Sequence, residues 1–86
     1  MSARRFAPAP AIAVATDRDG RPRGLRWRGR WERVAAIEAV WEVTAGWLED
    51  AGATRRCYRL RTHAGLLCVV HREPGGGRWH LESILD

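Results

Sequence analysis

The sequence predicts an all-β fold: a small antiparallel meander of about six strands, arranged as a curled sheet or partly closed barrel. Three observations predict it. Apolar and basic residues alternate with period two across residues 24–34, the mark of a half-buried strand. Turn-forming clusters recur between short apolar runs, at residues 17–22, 63–65 and 74–77. The runs themselves are rich in β-branched and aromatic side chains.

In chain order, residues 1–10 read as a flexible arm, since small residues with Pro8 and Pro10 neither pack nor join a ladder. Residues 11–86 read as a single β domain. Ile12 and Val14 alternate with alanine in a first short strand. Asp17, Asp19, Gly20 and Pro22 form a turn. Leu25, Trp27 and Trp31 share one parity; Arg26, Arg28 and Arg30 share the other. Gly29 marks a tight reversal. The tryptophan pair is therefore expected to face the core and the arginine row to face water. Residues 35–44 fit either a helical face or a strand. Their β-branched and aromatic content, with no capping residue before them, favours strand. Residues 45–54 read as a loop from which Trp47 and Leu48 fold back. Residues 55–62, 66–70 and 78–85 then form strands joined by two successive hairpins. Trp27, Trp31, Trp41, Leu60 and Trp79 are the expected core.

The 86 residues allow one domain with a modest core. All 15 basic side chains are arginine and the net charge is +5. A GC-rich codon bias explains the choice of arginine over lysine, alongside the abundant alanine and glycine. It does not explain the net positive charge, which favours polyanionic partners. Two cysteines are too few for a disulfide framework or a four-thiolate zinc site. No apolar run approaches the roughly 20 residues that span a bilayer, and Arg4 and Arg5 precede no signal core. The expectation is a reduced, cytoplasmic protein with no membrane partner.

The strongest chemical signal lies in residues 21–33, where Arg23, Arg26, Arg28, Arg30 and Arg33 interleave with Trp27 and Trp31. Arginine and aromatics on one ribbon can hold single-stranded nucleic acid by phosphate pairing and base stacking. With the indoles turned inward, the face offers only sequence-blind electrostatic contact or a solvated structural surface. His71 and His80 flank one hairpin and are candidate cross-strand neighbours, but two histidines without a third ligand are a weak zinc signal. Cys57 and Cys68 stand at different distances from the turn at Gly65, so they are expected as free thiols, and nothing marks either as activated. The carboxylates are scattered among arginines as salt-bridge partners, and no phosphate loop, nucleophile elbow or HExxH occurs. No cofactor, small-molecule substrate or enzymatic activity is expected.

Three stretches carry a resemblance. They are Asp19-Gly20-Arg21-Pro22; Trp27 to Val34 leading on to Trp41; and Tyr58-Arg59-Leu60-Arg61-Thr62 through Gly65 to Arg78-Trp79-His80-Leu81-Glu82 and Asp86. Over roughly residues 11–86 the chain resembles a bacterial family of uncharacterised small domains. It is also similar to the C-terminal tail of the inactive Y-family DNA polymerase paralogue of mutasome cassettes. The resemblance implies a non-enzymatic accessory role in DNA repair or translesion synthesis, with single-stranded DNA or a DNA-repair protein as partner. It supplies no catalytic residues. The expected contact is the basic face at Arg23, Arg26, Arg28, Arg30 and Arg33, meeting nucleic acid or an acidic protein. The alternative is a pure protein-interaction module that adds an edge strand to its partner.

Overall fold

A computed structural model describes residues 3–44 and 54–85. The described residues are all-β, with eight strands in one curled antiparallel sheet. They are β1 (Ala3–Arg5), β2 (Ala11–Ile12), β3 (Val14–Thr16), β4 (Pro22–Trp27), β5 (Arg30–Thr44), β6 (Thr54–Thr62), β7 (Leu67–Arg72) and β8 (Trp79–Leu85). Their order across the sheet is β1-β8-β7-β6-β5-β4-β3, with β2 also on β8. The sheet is open. One extended segment lies across the opening: β2 pairs with β8, β3 pairs with β4, and Ala13 between them accepts a hydrogen bond from the Arg26 N–H at 2.9 Å.

β5 produces the curl. Its 15 residues serve two partners, pairing with β4 at Arg30–Arg33 and with β6 from Val34 onward. Register shifts insert one extra residue between Val34 and Ala36 and another between Ile37 and Ala39. Such bulges bend a strand and deepen its twist, so one strand can leave the first partner and wrap onto the second. Residues 35–44 are thus strand, as their composition favours.

The core fills the inside of the curl. Tyr58 and Leu60 from β6, Cys68 and Val70 from β7, Trp79, Leu81 and Ile84 from β8 and Leu25 from β4 form one buried cluster. Phe6, Ile12, Val14, Trp27, Val34, Ile37 and Leu66 pack around it. Each large apolar side chain buried this way contributes about 1.5–3 kcal/mol. Tyr58 and Trp79 meet with ring centroids 5.4 Å apart. The two cysteines are free and lie on opposite faces: Cys68 pairs with Leu60 and points inward, whereas Cys57 pairs with His71.

Two expectations are corrected. Residues 3–5 do not form a loose arm but pair with β8, Arg4 opposite Ile84 and Arg5 opposite Ser83. The Phe6 N–H continues this contact to the Glu82 carbonyl at 2.9 Å. The prolines end this short strand rather than prevent it, and β1 with the split of residues 11–16 raises the strand count above six. Trp31 and Trp41 also leave the core: they are 56% and 38% exposed. Of the expected loop over residues 45–54, residues 45–53, with Trp47 and Leu48, lie outside the described residues, and Thr54 begins β6.

Candidate nucleic-acid interface

The β4–β5 hairpin turns on Arg28 and Gly29, with φ of 52° and 78°. Two successive positive φ values are the signature of the two-residue turn that matches strand twist, and glycine takes the second at no steric penalty. This turn decides which side chains share a face. It sets Trp27 opposite Arg30 and Arg26 opposite Trp31. Cross-strand partners project to the same side of a sheet. Trp27 therefore packs inward beside Leu25, while Trp31 stands outside with Arg26 and Arg33. Parity counted straight through the turn places Trp31 on the wrong side, because a two-residue loop makes residues three apart into neighbours.

Gly24 completes the outer patch. It lies opposite Arg33, and a Cβ built on it would stand 3.8 Å from the Trp31 ring. The missing side chain leaves room for the Trp31 ring beside the β4 backbone, and the indole as a whole is more than half exposed. Arg26 and Arg33 are both exposed beside it.

The expected arginine row is thereby divided. Arg26 and Arg33 flank Trp31 on the outer face. Arg28 sits in the turn with its guanidinium 5.2 Å from the centroid of Trp27. Arg30 projects to the Trp27 side. Arg23 is exposed at the register shift where β3 meets the start of β4. Sequence reading missed Arg59 and Arg61, which lie on the outer face because Tyr58, Leu60 and Thr62 between them point inward. The signal that finds them is the same period-two alternation, with Tyr58 and Leu60 apolar on one parity and Arg59 and Arg61 on the other. Both guanidiniums are held by Glu38: Arg59 at 3.4 Å and Arg61 at 3.0 Å.

A second cluster lies on the same face beneath the N-terminal segment. The register shift between Val69 and Val70 leaves Glu82 as an extra residue in β8. Its carboxylate reaches His71 Nδ1 at 2.7 Å, Cys57 Sγ at 3.6 Å and Arg55 Nε at 3.9 Å. A cleft of about 310 Å³ between these groups and residues 5–9 opens to solvent. His71 stacks on its cross-strand partner His80, ring centroids 5.1 Å apart, and His80 Nδ1 donates to the Ala9 carbonyl at 3.1 Å. The cross-strand pair expected from the hairpin is present. Among the described residues, no three His, Cys, Asp or Glu side chains gather to hold a metal ion.

Burial holds the His71 imidazole below its ordinary pKa, outweighing the attraction of Glu82, while Arg55 and His80 add to the depression. The neutral ring then donates Nδ1–H to Glu82. Burial, with Glu82 beside it, pushes the Cys57 thiol up to about 11, and burial alone pushes Cys68 up to about 11. Neither thiol is a thiolate near neutrality, so neither is a ready nucleophile.

The His71 environment gives a pH dependence of defined sign. The unfolded chain binds a proton at His71 near the ordinary value of about 6.5, and the folded chain only at lower pH. Its contribution is therefore intact above that value and lost as pH falls from it towards the depressed folded value. The melting temperature of His71→Gln should fall less steeply than wild type between neutral and mildly acid pH. Parallel curves for the two proteins would contradict this assignment.

The chain matches the model of a domain of unknown function, DUF6504, across residues 4–86. It belongs to the DUF6504 family. The match runs from β1 to the C-terminus, so the DUF6504 domain includes the N-terminal strand that composition set aside as an arm. No curated protein and no solved structure matches this DUF6504 chain at a significant level.

Proposed function

We propose that this DUF6504 domain is a non-enzymatic binding module for single-stranded nucleic acid. One observation carries the reading: an exposed indole, Trp31, shares its sheet face with Arg26 and Arg33. A base stacked on a solvent-facing tryptophan contributes about 1–3 kcal/mol, and flanking guanidiniums pair with the phosphates on either side. A paired base inside a duplex has no free π-face for Trp31, so the patch favours single strands. On the sequence resemblance to the tail of the inactive Y-family polymerase paralogue alone, DNA exposed during translesion synthesis is the proposed source of such a strand, with this domain as accessory.

The edge-strand alternative has little to use at the two ends of the sheet, where β1 and β3 are three residues long each and short edges resist further pairing; its better footing is β5, which beyond Arg33 pairs with β6 alone among the described residues.

The test is binding of a labelled oligothymidylate followed by fluorescence anisotropy. Trp31→Ala should weaken binding by about 5- to 150-fold, the equivalent of one lost stacking contact. A double Arg26→Ala, Arg33→Ala variant should flatten the dependence on salt by about 1.4 in the logarithmic slope, from two phosphates at about 0.7 each. Arg30→Ala, on the other side of the ribbon, should bind as wild type does. Wild-type protein that ignores the oligomer at low salt, or Trp31→Ala that binds it equally well, would overturn the proposal.

A further inference from the structure

We infer that the outer face of β5 is a continuous track for one nucleic-acid strand, with a second stacking platform at Trp41 and an acidic brake at Glu38; the inference rests on the nucleic-acid reading above. Trp41 lies opposite Cys57 in the β5–β6 ladder. Cys57 is on the side of β6 away from Tyr58 and Leu60, so Trp41 faces outward. The two extra residues in β5, Ala35 and Glu38, each invert the alternation. Two inversions cancel, and Trp31 and Trp41, ten positions apart, emerge on one face. A single bulge would have sent Trp41 inward.

Between the two indoles the face is basic. Arg59 stands opposite Ala39 and Arg61 opposite Ala36. These small partners leave both arginine side chains exposed to solvent, with Glu38 the β5 side chain that reaches their guanidiniums. Arg55 and Arg59 are the diagonal neighbours of Trp41, as Arg33 and Arg26 are neighbours of Trp31. Aromatic, basic stretch, aromatic is the pattern of a groove that follows a flexible polyanion.

The spacing sets the length of the ligand. Ten residues of strand extend about 30 Å, too far for Trp31 and Trp41 to hold the same or adjacent bases. They stack on bases several nucleotides apart, within the roughly 4–16 nucleotides that one small β-barrel domain covers. An oligomer shorter than the track reaches one indole only.

Glu38 regulates the middle of the track. It is the extra residue of the second bulge, and its carboxylate binds Arg59 and Arg61 at once. One negative charge across two guanidiniums leaves a net single positive charge where phosphates would pass. A strand occupying the track must displace Glu38 from at least one arginine.

The experiment is a length series of oligothymidylates, about 4 and about 12 nucleotides long, against wild type, Trp41→Ala and Glu38→Gln. Trp41 is on the surface, so its variant should melt near the wild-type temperature, which is measured alongside. Trp41→Ala should weaken the long oligomer by about 5- to 150-fold and leave the short one near the wild-type value. Glu38→Gln should strengthen the long oligomer several-fold and steepen its salt dependence. If Trp41→Ala leaves the long oligomer unaffected while Trp31→Ala weakens it, the track is wrong and the Trp31 site stands. If wild type binds neither length, both readings fall.

Discussion

Trp79→Ala is expected to lower stability by about 3–5 kcal/mol, the usual range for removing a buried aromatic. Trp79 is 6% exposed at the start of β8, against Tyr58 on one side and under the Arg72 guanidinium at 5.4 Å on the other. It also pairs with Ile12, so it anchors the segment that lies across the opening of the sheet. A domain of this size has a total stability of only about 4–13 kcal/mol. The loss therefore takes a large share of it, or all. Thermal unfolding followed by circular dichroism should show a fall of about 12–40 °C, at 4–8 °C per kcal/mol. Trp31→Ala is the matched control, since it removes the same indole from the surface. Equal shifts for the two variants would mean that the core does not centre on Trp79.

Deleting residues 1–6 is expected to cost about 2–4 kcal/mol, although their composition suggests a dispensable tail. Truncation removes the pairing of β1 with β8 and the burial of Phe6. Phe6 also meets Trp27 edge-on at 6.5 Å and carries the Arg4 guanidinium 5.2 Å from its ring centroid. Burying such a side chain contributes about 1.5–3 kcal/mol, and each net hydrogen bond about 0.5–1.5 kcal/mol. The melting temperature should drop by about 8–30 °C. A truncated domain that melts with the full chain would show that β1 adds nothing to the sheet.

The two expectations the structure corrected fail for one kind of reason. Residues 1–10 contain two prolines and mostly small side chains, so nothing local marks them as strand. The ladder that holds residues 3–5 is supplied by β8, nearly eighty positions away. Trp31 was misplaced for want of knowing how the turn at Arg28 and Gly29 closes. Alternation says which residues differ in side, but a two-residue reversal exchanges the sides, and only the register reveals it. Trp41 follows Trp31: the two bulges of β5 cancel, so it keeps the side that the turn gives Trp31 and stands opposite Cys57 on the outer face.

Local chemistry alone determined the β character of this chain, the positions of its described turns, the inward-facing residues Leu60 and Trp79, and the free state of its thiols. These follow from propensity, period-two alternation and backbone permissiveness, all of which act within a few residues. Tertiary structure decided which indoles face water, which arginines stand beside them, and that Glu38 holds Arg59 and Arg61. Those outcomes depend on register, and register is set by bulges and by pairing between distant strands. A one-residue shift moves a side chain from the core to the surface, and the outer face of β5 depends on where two such shifts fall.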